Sequence, residues 1–168
     1  MKQQIIVFEG IDGIGKTTQL RHASKVLTKL NIDHITTQEF AGDVFRNTCR
    51  NLFMHNLNGI QELALISMVR NWHMENVVIP SIIAGKVVLI DRFIESTWAY
   101  QHGGRNIPSH LLEFCQNYFW NAPYPDITFF LSGTCKRNQK QDRFEVESEA
   151  FFKRVQNIYE QRKQKTWI

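Results

Sequence analysis

One stretch, Phe8-Glu-Gly-Ile-Asp-Gly-Ile-Gly-Lys-Thr-Thr18, constrains the fold of this chain more than any other. It follows the apolar run Ile5-Ile6-Val7-Phe8 and opens onto Gln19-Leu20-Arg21, where a helical pattern begins. The spacing Gly10-x4-Gly15-Lys16-Thr17 is that of a phosphate-binding loop. Gly10, Gly13 and Gly15 let successive backbone N–H groups turn inward around an anion, and the following helix N-terminus adds its positive end. Lys16 supplies a compact positive charge for phosphates, and the Thr17 hydroxyl, with Thr18 beside it, is a hard oxygen ligand suited to Mg²⁺. The competing reading is a glycine-rich turn before an ordinary helix. A strand signal before the loop and a helix signal after it favour the phosphate reading.

The rest of the chain supplies the scaffold for such a loop. Its 168 residues suit one α/β domain with a substantial core. Twenty basic against 16 acidic residues is a mild excess, without a basic run outside the C-terminal third, and it favours phosphate esters over a nucleic-acid backbone as partner. Cys49, Cys115 and Cys135 form no close pair and fit idle thiols in a reducing compartment. Met1-Lys2-Gln3-Gln4 leads directly into a strand-like run, without a secretory apolar core. No apolar window approaches membrane-spanning length, so a cytoplasmic protein making no membrane contact is expected.

Periodicity then orders the elements. Residues 3–8 read as a strand buried on both faces, 16–30 as a helix, 33–37 as a second strand and 43–54 as a helix. A longer helix spans 60–84, with Pro80 bending or breaking its last turns. Lys86-Val-Val-Leu-Ile-Asp91 is the clearest strand after the first, and helices follow at 95–102 and 109–120. Residues 126–131 make a fourth strand, 132–142 a mobile polar stretch, and 144–163 a final helix with Phe151, Val155, Ile158 and Tyr159 on one side. Strands alternating with helices imply a parallel sheet with helices on both faces and ligands at the C-terminal strand ends. Gly10 and Asp91 both fall there. Asp91 reads either as the metal-side acid of a phosphate site or as a carboxylate capping the next turn. Arg92 beside it can grip a phosphate bidentately.

The loop, Asp91-Arg92-Phe93, Ser96-Thr-Trp-Ala-Tyr-Gln101 and the spacing from Glu62 through Arg70 to Asp91 together resemble the thymidylate kinase family. Pro125-Asp126-Ile-Thr128 and the lid-like Asp142-Arg143-Phe-Glu145 extend the resemblance over nearly the whole chain. It implies a P-loop NTPase-type α/β fold of three layers: a single domain over 1–168 with a mobile lid at about 132–145. It also implies phosphoryl transfer from MgATP to dTMP, giving dTDP and ADP, in a homodimer.

By the same resemblance, Gly10, Gly13, Gly15, Lys16, Thr17 and Thr18 hold ATP, and Thr17 and Asp91 lie at the Mg²⁺. Asp12 matches an acid that faces the acceptor nucleotide, although on the loop alone it reads equally as a solvated turn aspartate. Arg50 and Arg92 match arginines on the acceptor's 5′-phosphate, and Arg70 one that meets the thymine carbonyl. Ser96 sits where a small polar group reads the base edge, and Tyr100 where a tyrosine packs under the sugar and excludes a ribose 2′-hydroxyl. Glu39 and Gln101 complete the acceptor motifs.

The departures from the family pattern are specific. Ile66 stands where a phenylalanine usually stacks on thymine, so broader base preference is an alternative. Glu39-Phe-Ala-Gly42 replaces Glu-Pro-Gly-Gly, and Phe40 is near enough to compensate for the lost ring. Ile14 takes the place of a catalytic arginine found in some members; others use lid arginines, for which Arg137 and Arg143 are the candidates, with Lys140 between them. A solvated charged loop explains those three residues equally well. The family's fifth strand is expected to be missing or rudimentary, represented by Thr166-Trp167-Ile168. A nucleotide-binding protein without turnover is the alternative from another class. A GTPase is disfavoured because no Asn-Lys-x-Asp motif occurs.

Overall fold

The computed structural model describes residues 4–133 and 147–163. Four strands, β1 (Ile5–Glu9), β2 (His34–Thr37), β3 (Val87–Asp91) and β4 (Ile127–Phe130), form one sheet in the order β2-β3-β1-β4. Every pairing is parallel, with Phe8 opposite Asp91 and opposite Phe129. The expected strands are all present, each within a residue or two of its predicted bounds.

The sheet is covered on both sides because its central strands are apolar at every position before their closing carboxylates, Glu9 and Asp91. Ile5, Val7, Val88 and Ile90 face one core with Leu63, Met74, Phe93, Trp98 and Trp120. Phe8, Val87 and Leu89 face the other, where α1 (Lys16–Lys29) contributes Leu20. Side-chain alternation thus sends consecutive residues of one strand into opposite cores, so a one-residue slip would exchange both.

Local chemistry fixes the helix ends. Asp43 caps α2 (Val44–Phe53) by accepting from the Arg46 amide. Asn58 and Gln61 close a capping box on α3 (Gly59–His73). The long helix changes form just before Pro80. After α3 it widens into a π-helical segment, Met74–Val78, and continues as α4 (Ile79–Ile83), with Pro80 in the first turn. There the missing proline N–H costs least.

The expected 95–102 helix is a short α5 (Ile94–Thr97) followed by a second π-helical segment, Trp98–Gly104. It is closed by the Arg105 amide on the Tyr100 carbonyl at 2.9 Å. Helix α6 (Ser109–Tyr118) ends sooner than periodicity suggests. The last helix, α7 (Glu149–Lys163), begins five residues later than predicted. Ser148 explains this, since its hydroxyl accepts from the Phe151 amide at 3.2 Å in the manner of an N-cap.

Along α7, Phe151, Val155 and Tyr159 pack on the second π-helical segment. The approach is close enough that a Cβ on Gly104 would lie 2.4 Å from the Phe151 ring. Arg154 donates to the Gly103 and Gly104 carbonyls at 2.9 and 2.8 Å, satisfying acceptors at the segment's end. Among the described residues no helix is long and apolar enough to cross a membrane. Most of the expected lid and the Thr166–Ile168 strand remnant lie outside the described residues.

Candidate active site

The C-terminal ends of β1 and β3 are neighbours, so the loop after Phe8 and the segment after Asp91 open into one cavity of about 400 Å³. Gly13, Gly15, Lys16, Thr17, Thr18 and Asp91 line one part of it. Asp12, Glu39, Arg50, Ile66, Arg92, Ser96, Tyr100 and Gln101 line the rest. These residues come from elements and loops spread along the chain, and the topology brings them together.

At the loop, Gly10 has φ 140°, and a Cβ there would lie 2.5 Å from the Leu131 carbonyl oxygen, so only glycine fits. Lys16 is buried at the start of α1 and donates from Nζ to the Ile11 carbonyl at 2.8 Å. Burial, with the nearby Arg92 charge, lowers its pKa to about 8 despite the neighbouring carboxylates of Asp12, Asp91 and Glu9. Thr17 Oγ1 donates to Asp91 Oδ2 at 2.6 Å. That pair offers adjacent hard oxygens, which fits Mg²⁺, an ion usually held by one or two protein oxygens together with phosphate and water. Among the described residues no cluster of three His, Cys, Asp or Glu side chains competes as a metal site.

Across the cavity, Arg92 is the hub. Its backbone has φ 67°, left-handed and sparsely populated for a residue with a side chain. Its Nη2 donates to Asp12 Oδ1 at 2.5 Å, and its Nη1 to Ser96 Oγ at 3.0 Å and to the Tyr159 hydroxyl at 3.2 Å. Tyr100 donates to Asp12 Oδ2 at 2.8 Å and lies beneath the Arg92 guanidinium, 5.3 Å from its ring centroid. Burial alone would raise the Asp12 pKa; the Arg92 and Lys16 charges and the Tyr100 hydroxyl outweigh it and hold the carboxyl below its usual range. Burial likewise opposes the Arg92 charge, yet Tyr100, Tyr159, Asp12 and Glu9 keep it firmly protonated.

Arg70 is fully buried and sandwiched between the Trp120 and Phe93 rings, 4.3 and 5.2 Å away. It pairs with Glu39 at 2.5 and 3.0 Å and donates to the Phe93 carbonyl and to Thr97 Oγ1. Its Nη1 has no partner among the described residues. Arg50 is exposed and has no ion-pair partner there either, whereas Gln101 donates to Glu62 at 3.0 Å. Ile66 forms cavity wall near Phe40 and Phe53, whose rings stand 5.0 Å apart.

Arg70, expected at a thymine carbonyl, is fully buried and does not line the cavity, and a second placement also differs from expectation. The Ser96 hydroxyl, expected at a base edge, is engaged by Glu9 at 2.5 Å, by Arg92 and by Tyr159 at 2.8 Å. Two polar residues of this region were not singled out from sequence. Glu9 ended an apolar run, and Tyr159 sat on a helix face that reads as packing. A carboxylate closing a continuously apolar strand was the available signal for Glu9. Arg137 and Arg143 lie outside the described residues.

A parallel sheet with a Gly-x4-Gly-Lys-Thr loop after its first strand, a Thr17–Asp91 pair beside it and an arginine-carboxylate pair across one cavity defines a P-loop phosphotransferase of the nucleoside monophosphate kinase class. The family model described as thymidylate kinase matches residues 8–168, and the chain belongs to that family. Thymidylate kinase from Nitrosomonas eutropha is 34% identical over 169 residues, covering 95% of this chain and 79% of the relative. Its Thermosipho melanesiensis counterpart is 37% identical over 161 residues, covering 92% and 81%. A crystal structure of thymidylate kinase from Ehrlichia chaffeensis superposes with a TM-score of 0.83 at 30% identity, covering 98% of this chain and 84% of that one.

Proposed function

We propose that the chain transfers the γ-phosphoryl group of ATP to the 5′-phosphate of dTMP, giving dTDP and ADP. The observation that carries this reading is the single cavity with the phosphate loop at one side and Arg92, paired to Asp12 and Tyr100, at the other. Such transfer needs in-line positioning and charge neutralisation more than a covalent catalyst. The loop amides and Lys16 hold the donor phosphates, with Lys16 exchanging the Ile11 carbonyl for phosphate oxygen. Mg²⁺, held at Thr17 and Asp91, would neutralise phosphate charge. Arg92 and the exposed Arg50 bind the acceptor phosphate, and charge-assisted bonds of this kind contribute about 1.5–3 kcal/mol each.

Asp12, kept ionised and fixed by Arg92 and Tyr100, faces the acceptor sugar, against which Tyr100 packs. Arg70, fastened by Glu39, keeps one donor for the base carbonyl, and that unpaired Nη1 supports the assignment. Gln101 holds the wall through Glu62, and Arg137 and Arg143 serve the transferring group from the lid. A broader deoxynucleotide preference is favoured by Ile66, an aliphatic wall where a ring would stack, with Phe40 and Phe53 the nearest aromatic surface. A coupled ADP-release assay across dTMP, dUMP, dGMP and dCMP decides. Turnover concentrated on dTMP supports the reading, and equal rates reject it.

The reading also takes residues 1–168 as one cytoplasmic domain that works as a homodimer. Exposed Met68, Phe114 and Phe119, near the junction where Asn71 donates to the Phe119 carbonyl at 3.0 Å, offer an apolar face for it.

A further inference from the structure

Tyr159 reaches Arg92 from α7, 67 positions along the chain. Its ring packs with Tyr100 and Phe130 at centroid distances of 6.5 and 6.3 Å and shares a core with Ala99, Phe151 and Val155. A phenylalanine would fill that space equally well. The hydroxyl is a different matter, because burying it without partners costs more than an apolar edge would. It lies 2.8 Å from Ser96 Oγ, 3.2 Å from Arg92 Nη1, 3.4 Å from Glu9 Oε2 and 3.5 Å from the Gly10 carbonyl.

One proton order satisfies every group with Glu9 ionised, the form that Ser96, Arg92 and the Phe93 amide favour against burial. Glu9, fully buried, accepts from the Phe93 amide at 2.8 Å, the Ser96 amide at 3.2 Å and Ser96 Oγ at 2.5 Å. With the Ser96 proton directed to Glu9, Tyr159 donates to Ser96, and both hydroxyls accept from the two hydrogens of Arg92 Nη1. One side of the guanidinium fork is therefore fixed by Tyr159 and Ser96, and the other by Asp12. The Arg92 backbone that carries this fork is in the left-handed region, so something must hold it there.

We propose that Tyr159 is a positioning residue for Arg92: its hydroxyl, anchored by Ser96 and Glu9, sets the orientation in which the guanidinium meets the acceptor phosphate. The proposal rests on the assignment of Arg92 to that phosphate. Tyr159→Phe removes one oxygen and leaves the ring packing. Calorimetric titration with dTMP should show about five- to tenfold weaker binding to Tyr159→Phe, an indirect loss smaller than that of a charge-assisted bond to the ligand itself. The KM for ATP should stay within about twofold, since Lys16 and the loop amides keep their contacts and the Gly10 carbonyl loses only a 3.5 Å approach.

Because the hydroxyl acts through the fork, its loss should matter little once Arg92→Lys has removed that fork. In the double variant the dTMP affinity should match that of Arg92→Lys alone. Unchanged dTMP affinity in Tyr159→Phe, with Arg92→Lys weakened, overturns the positioning role while leaving the acceptor-phosphate assignment standing. Multiplicative losses in the double variant also overturn it. Unchanged affinity in Arg92→Lys removes both.

Discussion

Lys16 occupies two environments in one catalytic cycle. Without phosphates it is a buried cation with a pKa lowered to about 8 by desolvation and by Arg92. With phosphates beside it the charged form is favoured again. kcat/KM for ATP reports the free enzyme, so it should decline above about pH 8 as Lys16 loses its proton. kcat, which reports the bound state, should hold to higher pH. A pH profile of both quantities checks this, and a kcat/KM flat to pH 10 would reject it. Lys16→Ala should lower kcat at least about 10²–10³-fold, as removal of one preorganised electrostatic donor does, with circular dichroism unchanged. Lys16 and Asp91 were legible in the sequence because short spacing carries their chemistry. The partners of Ser96 were not, because its hydroxyl is engaged by Tyr159 from α7, and no local pattern encodes that distance.

Among the elements, the second π-helical segment and α7 depend on each other most. Gly104 lets the Phe151 ring reach the segment's backbone, and the Cβ of an alanine would overlap that ring at 2.4 Å. Alanine is the better helix former, so propensity alone predicts a gain of up to about 1 kcal/mol for Gly104→Ala. Overpacking predicts a loss of about 1–3 kcal/mol. The overlap involves a buried ring and not a flexible chain end, so the loss should win. A lower urea midpoint for Gly104→Ala, at unchanged m-value, is the expected result. Strands and long helices were readable because their periods are local. The widened turns at Met74–Val78 and Trp98–Gly104 were not, since an inserted residue leaves almost the same apolar pattern. The start of α7 was missed because Phe144 continues the apolar spacing while Ser148, a single capping side chain, decides the end.

At the scale of the whole molecule, acid should act through His73. It is fully buried, contacts Thr37 Oγ1 at 2.8 Å and has no partner at Nδ1 among the described residues. Desolvation and the charges of Arg46 and Arg70 push its pKa down to about 3. Between about pH 6.5 and 3 the unfolded chain therefore binds a proton that the folded one refuses, so stability falls as pH drops through that window. Urea midpoints measured from pH 7 to 4 should decline more steeply for the natural chain than for His73→Gln; parallel slopes would contradict the assignment. The parallel sheet, with the Gly10 loop and Asp91 at its C-terminal end, was legible as soon as strands and helices alternated, whereas the other cavity residues were placed only by the family resemblance. The pairing of Arg70 with Glu39, and of Arg92 with Asp12, was not, because which acid meets which base is decided by packing across elements. The Arg92 clamp has an entropic consequence. Immobilising a long side chain costs up to about 2 kcal/mol of rotamer freedom, and for Arg92 folding has already met that cost. Arg50, exposed and unclamped, meets it only when the acceptor arrives. Two arginines assigned to one phosphate thus divide the work: one is a rigid socket, the other a latch whose freedom is spent on closing.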